Sequence, residues 1–401
     1  MSTVPPIPRY RTYAGPALLA AGFRPFFLSG ALWAALAVPL WLAMLRGLPS
    51  PGGWPAAVWH AHEMVFGYGA AIVAGFLLTA IPNWTGRMPL QGAPLAGLAA
   101  LWLAGRLGML LCGWLGPVAT AAADLAFPLA FLAVIAREII VGRNWRNAPM
   151  LVASALLLAG NALVHLEALG LLASAAAGER LGVATLSMLI GLIGGRVVPS
   201  FTRNWLVRTA PGTALPAGFG RLDRAALGGM LLALAAFVVV PDSRITALAE
   251  LAAGGLVLLR LARWRGAATA AEPLLGVLHV GYAWLGLGLM LLGINGLVTL
   301  LPASTALHAL TVGAIGTMTL AMMTRATLGH SGRALTATRP TSAMFALVSL
   351  AALLRLAAPL AGEFYPPGLD LAGLAWSAAF ILFVALHAGA LTRRRPVTGP
   401  D

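Results

Sequence analysis

The residues best suited to chemistry in this sequence are its seven histidines, and the densest signal is Trp59-His60-Ala61-His62-Glu63-Met64. Imidazole is the commonest protein nitrogen ligand for haem iron, copper and zinc. On a helix, residues two apart project about 200° from one another. His60 and His62 therefore do not readily grip one ion together, but they can serve two sites on opposite sides of the helix. His62 and His308 are read as an axial pair for a haem iron. His60, His165 and Glu63 are read as donors to an adjoining metal or reaction site. Met64 is a thioether that could ligate, although a methionine more often fills a gap. Trp59 and Tyr68 are candidate pocket walls. Gly67, Gly69 and Gly75 remove bulk below the histidines, which admits either a flat macrocycle or a neighbouring helix.

The elements that must position these residues are membrane helices. Of the 401 residues, 60% are hydrophobic and 9% charged. A soluble domain carries about 25% charged residues, so this chain cannot cover a surface with polar groups. Apolar stretches of roughly 20 residues recur, the length that spans hydrocarbon as a helix. No alternating pattern of a lipid-facing barrel is present. The expectation is an all-α integral membrane protein of about twelve transmembrane helices. Spans are expected near 25–45, 60–82, 95–115, 118–140, 149–173, 181–200, 225–241, 245–262, 274–298, 304–325, 342–361 and 370–391. The chain reads as a single polytopic membrane domain over 1–401. It has a short cytoplasmic tail 1–24, a cytoplasmic loop 201–224 and a cytoplasmic tail 392–401.

The net charge of +14 comes from 26 basic residues, every one an arginine. Nucleic acid is one partner for such a charge, but its distribution argues for topology instead. With a cytoplasmic N-terminus, 21 arginines fall on cytoplasmic segments, while Arg46, Arg180 and Arg244 fall outside and Arg106 and Arg355 lie within spans. That is the positive-inside pattern, with both termini cytoplasmic. The single Cys112 excludes a disulfide framework and any cysteine-rich cluster. The first apolar run is a full span, so no cleavable signal is expected.

This topology sorts the histidines by depth. His60, His62, His308 and His165 form an outer group, His165 lying about 24 Å along its helix from the cytoplasmic start. His279, His330 and His387 form an inner group. Ionisable groups within a membrane are costly and mark function when they face the bundle interior. A membrane histidine can equally be held by structural hydrogen bonds, and His279 and His387 are read that way.

Helices 2, 6 and 10 end alike: Pro82-Asn83-Trp84-Thr85-Gly86-Arg87, Arg196-Val197-Val198-Pro199-Ser200-Phe201-Thr202-Arg203, and Arg325-Ala326-Thr327-Leu328-Gly329-His330-Ser331-Gly332-Arg333. Aligning Thr85, Thr202 and Ser331 also aligns Arg196 with Arg325, His62 with His308 and Gly67 with Gly313. Three four-helix repeats in a pseudo-threefold bundle would give this spacing. Chance recurrence of Thr, Gly and Arg at cytoplasmic helix ends is the simpler alternative. Arg24, Arg196, Arg203 and Arg325 are candidate binders of an anion or a haem propionate, because the guanidinium fork matches carboxylates and oxyanions. Topology alone would also place arginines there. His330 is a further candidate at that end.

Five strings carry a family resemblance: Gly22-Phe-Arg-Pro-Phe-Phe-Leu28, Trp59-His-Ala-His-Glu-Met64, Gly75-Phe-Leu-Leu-Thr-Ala-Ile-Pro-Asn-Trp-Thr-Gly86, Gly195-Arg-Val-Val-Pro-Ser-Phe-Thr-Arg-Asn204 and Thr324-Arg-Ala-Thr-Leu-Gly-His-Ser-Gly-Arg333. Through them the chain resembles the NnrS family. The resemblance implies a haem- and copper-containing bacterial inner-membrane protein of denitrification, nitric oxide response and nitrosative-stress tolerance. It supplies no ligand assignment. The architecture also resembles haem–copper oxidases and nitric oxide reductases, which use twelve helices and take haem ligands from the outer ends of helices 2 and 10. Helices 6 and 7 here hold no histidine, a departure that puts the oxidase copper site in doubt. Fold analogy does not establish a reaction.

The expected function is a haem b protein, with copper as a candidate second metal, handling nitric oxide or another small nitrogen oxide in the inner membrane. Redox conversion would draw on an unidentified electron donor. The alternative is a transporter or exporter of a nitrogen oxyanion, haem or copper, with the arginines as a gate. A non-catalytic nitrosyl sensor or metal store is a third reading. No nucleic-acid partner is expected.

Overall fold

The computed structural model describes residues 13–394. Among them, twelve helices are long and apolar enough to cross a membrane, and no strand occurs. They are α1 Phe23–Met44, α2 Ala56–Thr85, α3 Ala93–Leu110, α4 Cys112–Val141, α5 Trp145–Ala168 and α6 Ala175–Thr209, then α7 Arg221–Val239, α8 Arg244–Ala262, α9 Pro273–Val298, α10 Ala303–His330, α11 Arg339–Leu360 and α12 Gly362–Thr392. Arg9, Arg11 and Arg395, with most of both tails, lie outside the described residues.

Helix boundaries follow the chain's punctuation. Ser243 caps α8 by accepting from the Ile245 amide at 3.2 Å. Gly86, at φ 70°, terminates α2 in the left-handed conformation glycine tolerates. The sixth helix departs most from the sequence reading. It continues to Thr209, past the span expected at 181–200. The reason is periodicity: Val198, Thr202 and Leu206 are buried at four-residue spacing while Arg196, Arg203 and Arg208 face outward. A polar helix with one buried stripe needs no hydrocarbon around it.

Three helices form the centre. In the most apolar window of each, 72% of α2 and 67% of both α6 and α10 is buried, against at most 56% in any other. Each of the three also contains a π-helical segment: Glu63–Gly69, Ile190–Gly194 and Ala309–Gly316. Such wide turns take backbone carbonyls out of the ordinary ladder, and the freed groups need other donors. In α2 the Gly67 carbonyl accepts from Trp102 Nε1 at 2.9 Å. In α6 the carbonyls of Gly191 and Gly195 accept from the buried Arg260 of α8 at 3.1 and 3.2 Å. Arg260 also donates to Asp223 at 2.8 Å and to the Tyr282 hydroxyl at 2.8 Å. Its approach requires Gly195, because a Cβ there would lie 2.4 Å from Nη1.

Even-numbered helices begin on one side of the bundle, termed here the His60 side, and end on the other, the Arg87 side. The functional candidates gather on the His60 side.

Candidate functional site

Two clusters flank the start of α2, and the helical screw assigns one histidine to each. His62 turns toward α4 and α5, where it is fully buried. Its Nδ1–H donates to Glu63 Oε1 at 2.9 Å, and its Nε2 lies 2.8 Å from Asn161 Oδ1 and 3.2 Å from Asp124 Oδ2. His165 Nε2–H donates to the same Asp124 oxygen at 3.0 Å, as does Asn161 Nδ2–H at 2.7 Å. The Arg106 guanidinium of α3 bridges the remaining oxygens, one nitrogen on Glu63 Oε2 and the other on Asp124 Oδ1. All six side chains are buried. Gly67 makes the bridge possible: a Cβ there would sit 2.4 Å from Arg106 Nη1.

Buried charges survive only when paired and hydrogen-bonded, and this cluster meets both conditions. Ligand atoms of His62, Asp124 and His165 lie within 4.8 Å of one another, close enough to share one ion. Two imidazoles and a carboxylate suit copper or zinc. Glu63 on the far nitrogen of His62 is the outer carboxylate that commonly orients a ligating histidine. The residues therefore fit a metal. Trp54, in the connector before α2, closes this cluster with ring contacts of 5.7 Å to His62 and 5.8 Å to His165.

His60 turns the opposite way, into the middle of the bundle. Its ring stacks on Trp41 of α1 at 4.2 Å and faces the His308 ring of α10 at 6.5 Å, the planes within 8° of parallel. His308 Nδ1–H donates to the Ser304 carbonyl. In the neutral ring that bond leaves Nε2 as a free lone pair. His60 Nδ1 is buried without a hydrogen-bond partner. Both histidines line a cavity of about 130 Å³ whose walls include Met64, Tyr68, Leu186, Ile315, Arg355 and Trp376. Leu186 and Ile315 also line a second cavity of about 80 Å³, walled by Phe27, Ile72, Phe76 and Met318, which lies toward the Arg87 side. An orphaned imidazole nitrogen and a free lone pair on an apolar cavity fit a haem or another metal macrocycle.

The sequence pairing of His62 with His308 thus meets a different geometry. Each immediately precedes a π-helical segment, yet the ring opposite His308 belongs to His60. Of the proposed metal donors, His165 lies within the His62 cluster. Glu63 touches His62 and Arg106, and His60 lies across the helix from both. Trp59 is buried and Tyr68 lines the central cavity. Gly67 makes room for Arg106, whereas Gly69 and Gly75 receive Leu186 and Phe27.

The four candidate anion-binding arginines have separate occupations. Arg24 donates to the carbonyls of Ala390, Leu391 and Arg393 at 3.1, 3.0 and 2.9 Å, capping the end of α12. Arg325 lies over the Phe201 ring at 3.9 Å. Arg196 and Arg203 are exposed, and His330 packs beside Phe23 with ring centroids 5.5 Å apart. His279 bonds Thr202 at 2.9 Å, and His387 packs on Phe383.

Arg106, Asp124 and Asn161 escaped the sequence reading. Their signal was present, since an arginine and an aspartate inside adjacent apolar spans are expensive unless they meet.

No curated protein matches this chain. The sequence model described as NnrS protein matches residues 17–395, nearly its full length. The chain is a multi-pass membrane protein that belongs to the NnrS family.

Proposed function

We propose that this protein is a haem-binding inner-membrane protein that handles nitric oxide, with the macrocycle held between His60 and His308. The unpartnered nitrogen of His60 and the free lone pair of His308 beside one shared cavity carry the reading. When bound, the haem supplies the redox and ligand-binding chemistry. The chain's own contribution is to orient His308 through Ser304, to brace His60 on Trp41, and to keep water from the apolar cavity.

The second cluster is the place for copper, with His62, Asp124 and His165 as donors and Glu63 and Arg106 orienting them. Separate clusters on opposite sides of α2 would let the two groups differ in polarity and potential. Positive-inside asymmetry supports an orientation with the Arg87 side and both termini in a bacterial cytoplasm.

The apolar walls support a small neutral molecule over an ionic cargo carried through the bundle. From the His60–His308 cavity toward the Arg87 side the walls are Leu186, Ile315, Phe27, Ile72, Phe76 and Met318. A small neutral molecule crosses such surroundings, whereas an oxyanion would lose its hydration without compensation. Optical spectra of the purified protein test the reading. Wild type should show a Soret band that His60→Ala and His308→Ala each lose; wild type prepared without any haem defeats it. Anaerobic nitric oxide with a reductant, followed by nitrous oxide measurement, separates turnover from binding.

A further inference from the structure

Among the described residues four arginines are less than one-tenth exposed, and three of them hold carboxylates or several carbonyls. Arg24 caps three carbonyls, Arg106 bridges two carboxylates, and Arg260 holds Asp223, Tyr282 and two carbonyls. Arg355 is the exception. Its one hydrogen bond is a 3.3 Å contact from Nη1 to the Thr305 hydroxyl, and its Nε is buried without a partner. Among the described residues no carboxylate lies within ion-pairing distance of it.

A buried guanidinium lacking an anion is costly. The side chain lines the same cavity as His60 and His308, and it meets α10 at Thr305, one turn before His308. It sits late in α11, which ends on the His60 side. Glu179 also lines this cavity, with one oxygen unpartnered, but it makes no ion pair with Arg355. That leaves the guanidinium open to a group that enters with a negative, planar, two-oxygen face, the shape an arginine fork binds in bidentate fashion.

We propose that Arg355 is the anion anchor of the His60–His308 cavity, binding a carboxylate-like group beside the two imidazoles. Two sources share that chemistry: a propionate of the bound macrocycle, and a free oxyanion such as nitrite. The first source rests on the haem reading above; the second does not. In either case Arg355 is a positioning residue that orients its ligand relative to the histidines, while Thr305 holds the guanidinium in place.

The test uses full-length wild type, Arg355→Gln and Arg355→Lys, each checked by size-exclusion chromatography for a folded, monodisperse preparation. Haem-free protein is titrated with haem and with haem dimethyl ester, whose propionates are neutralised. A propionate anchor makes wild type favour haem over the ester by about tenfold or more, the scale of a hydrogen bond to a charged group. Arg355→Gln erases the preference and Arg355→Lys keeps part of it. Equilibrium dialysis of the haem-free proteins against labelled nitrite tests the other source, with binding lost in Arg355→Gln and retained in wild type. If Arg355→Gln matches wild type in both measurements, the anchor is overturned while the haem reading survives. If wild type takes up no haem, the haem reading falls and nitrite alone decides: retention that depends on Arg355 sustains the anchor, and its absence ends it.

Discussion

The rings of His60 and His308 face one another 6.5 Å apart and within 8° of parallel, although His62 is the residue that aligns with His308 in sequence. The two residues separating His60 from His62 swing their side chains to opposite sides of α2. Bound groups on those two sides should respond to different substitutions.

That independence is the first prediction. His62→Ala, His165→Ala and Asp124→Asn should each remove a bound copper or zinc ion while leaving the Soret band in place. His60→Ala and His308→Ala should do the converse. Metal analysis alongside optical spectra of the same preparations reads both. A Soret band that vanishes in His62→Ala and persists in His60→Ala would restore the sequence pairing.

Arg106 holds two buried carboxylates together, so its loss strands both. Arg106→Met should destabilise the protein by about 3 to 5 kcal/mol, the cost of breaking a buried pair. Adding Asp124→Asn should recover part of that loss by removing one stranded charge. Tryptophan-fluorescence unfolding in detergent gives both values, and an unchanged transition in the single variant counts against the charge-balance argument.

The π-helical segment of α6 depends on a side chain from α8. Arg260→Met would leave the Gly195 carbonyl without its side-chain donor, the Gly191 carbonyl with only the 3.4 Å contact from the Tyr282 hydroxyl, and Asp223 with Arg263 as its remaining cation. A loss of about 3 kcal/mol or more is expected. Arg263→Ala, at a one-third exposed position, should cost less than about 1 kcal/mol. Equal effects of the two would contradict the assignment.

The arginine asymmetry predicts an orientation that reporters can check. Reporter domains fused after Arg394, or inserted in the connector between Thr209 and Arg221, should be active only as cytoplasmic reporters. Insertions between Met44 and Ala56 should be active only as exported ones. The reverse pattern would turn the whole molecule over and put the His60 side in the cytoplasm.

Much of the architecture was legible without coordinates. Twelve spans follow from apolar length, because an unpaired backbone in hydrocarbon forces each crossing to be a helix. The ends of α2, α6 and α10 drew attention to the three helices that prove most buried. The exception at α6 is also physical, since its last turns are a surface helix whose four-residue stripe is weaker than a membrane signal. Arg24 shows the limit from the other direction. Its sequence context suited an anion, but only folding reveals three α12 carbonyls within its reach.

Sequence by itself determined that this chain is a helical membrane protein with imidazoles at the starts of its second and tenth crossings. Length, apolarity and charge asymmetry act locally, and no partner is needed to read them. Tertiary structure alone decided which imidazole meets which neighbour. That choice depends on helix rotation, on the wide turns after His62 and His308, and on a guanidinium from α3 reaching through the gap at Gly67. Each is a relation between segments far apart in the chain, fixed only when packing and charge pairing are satisfied together.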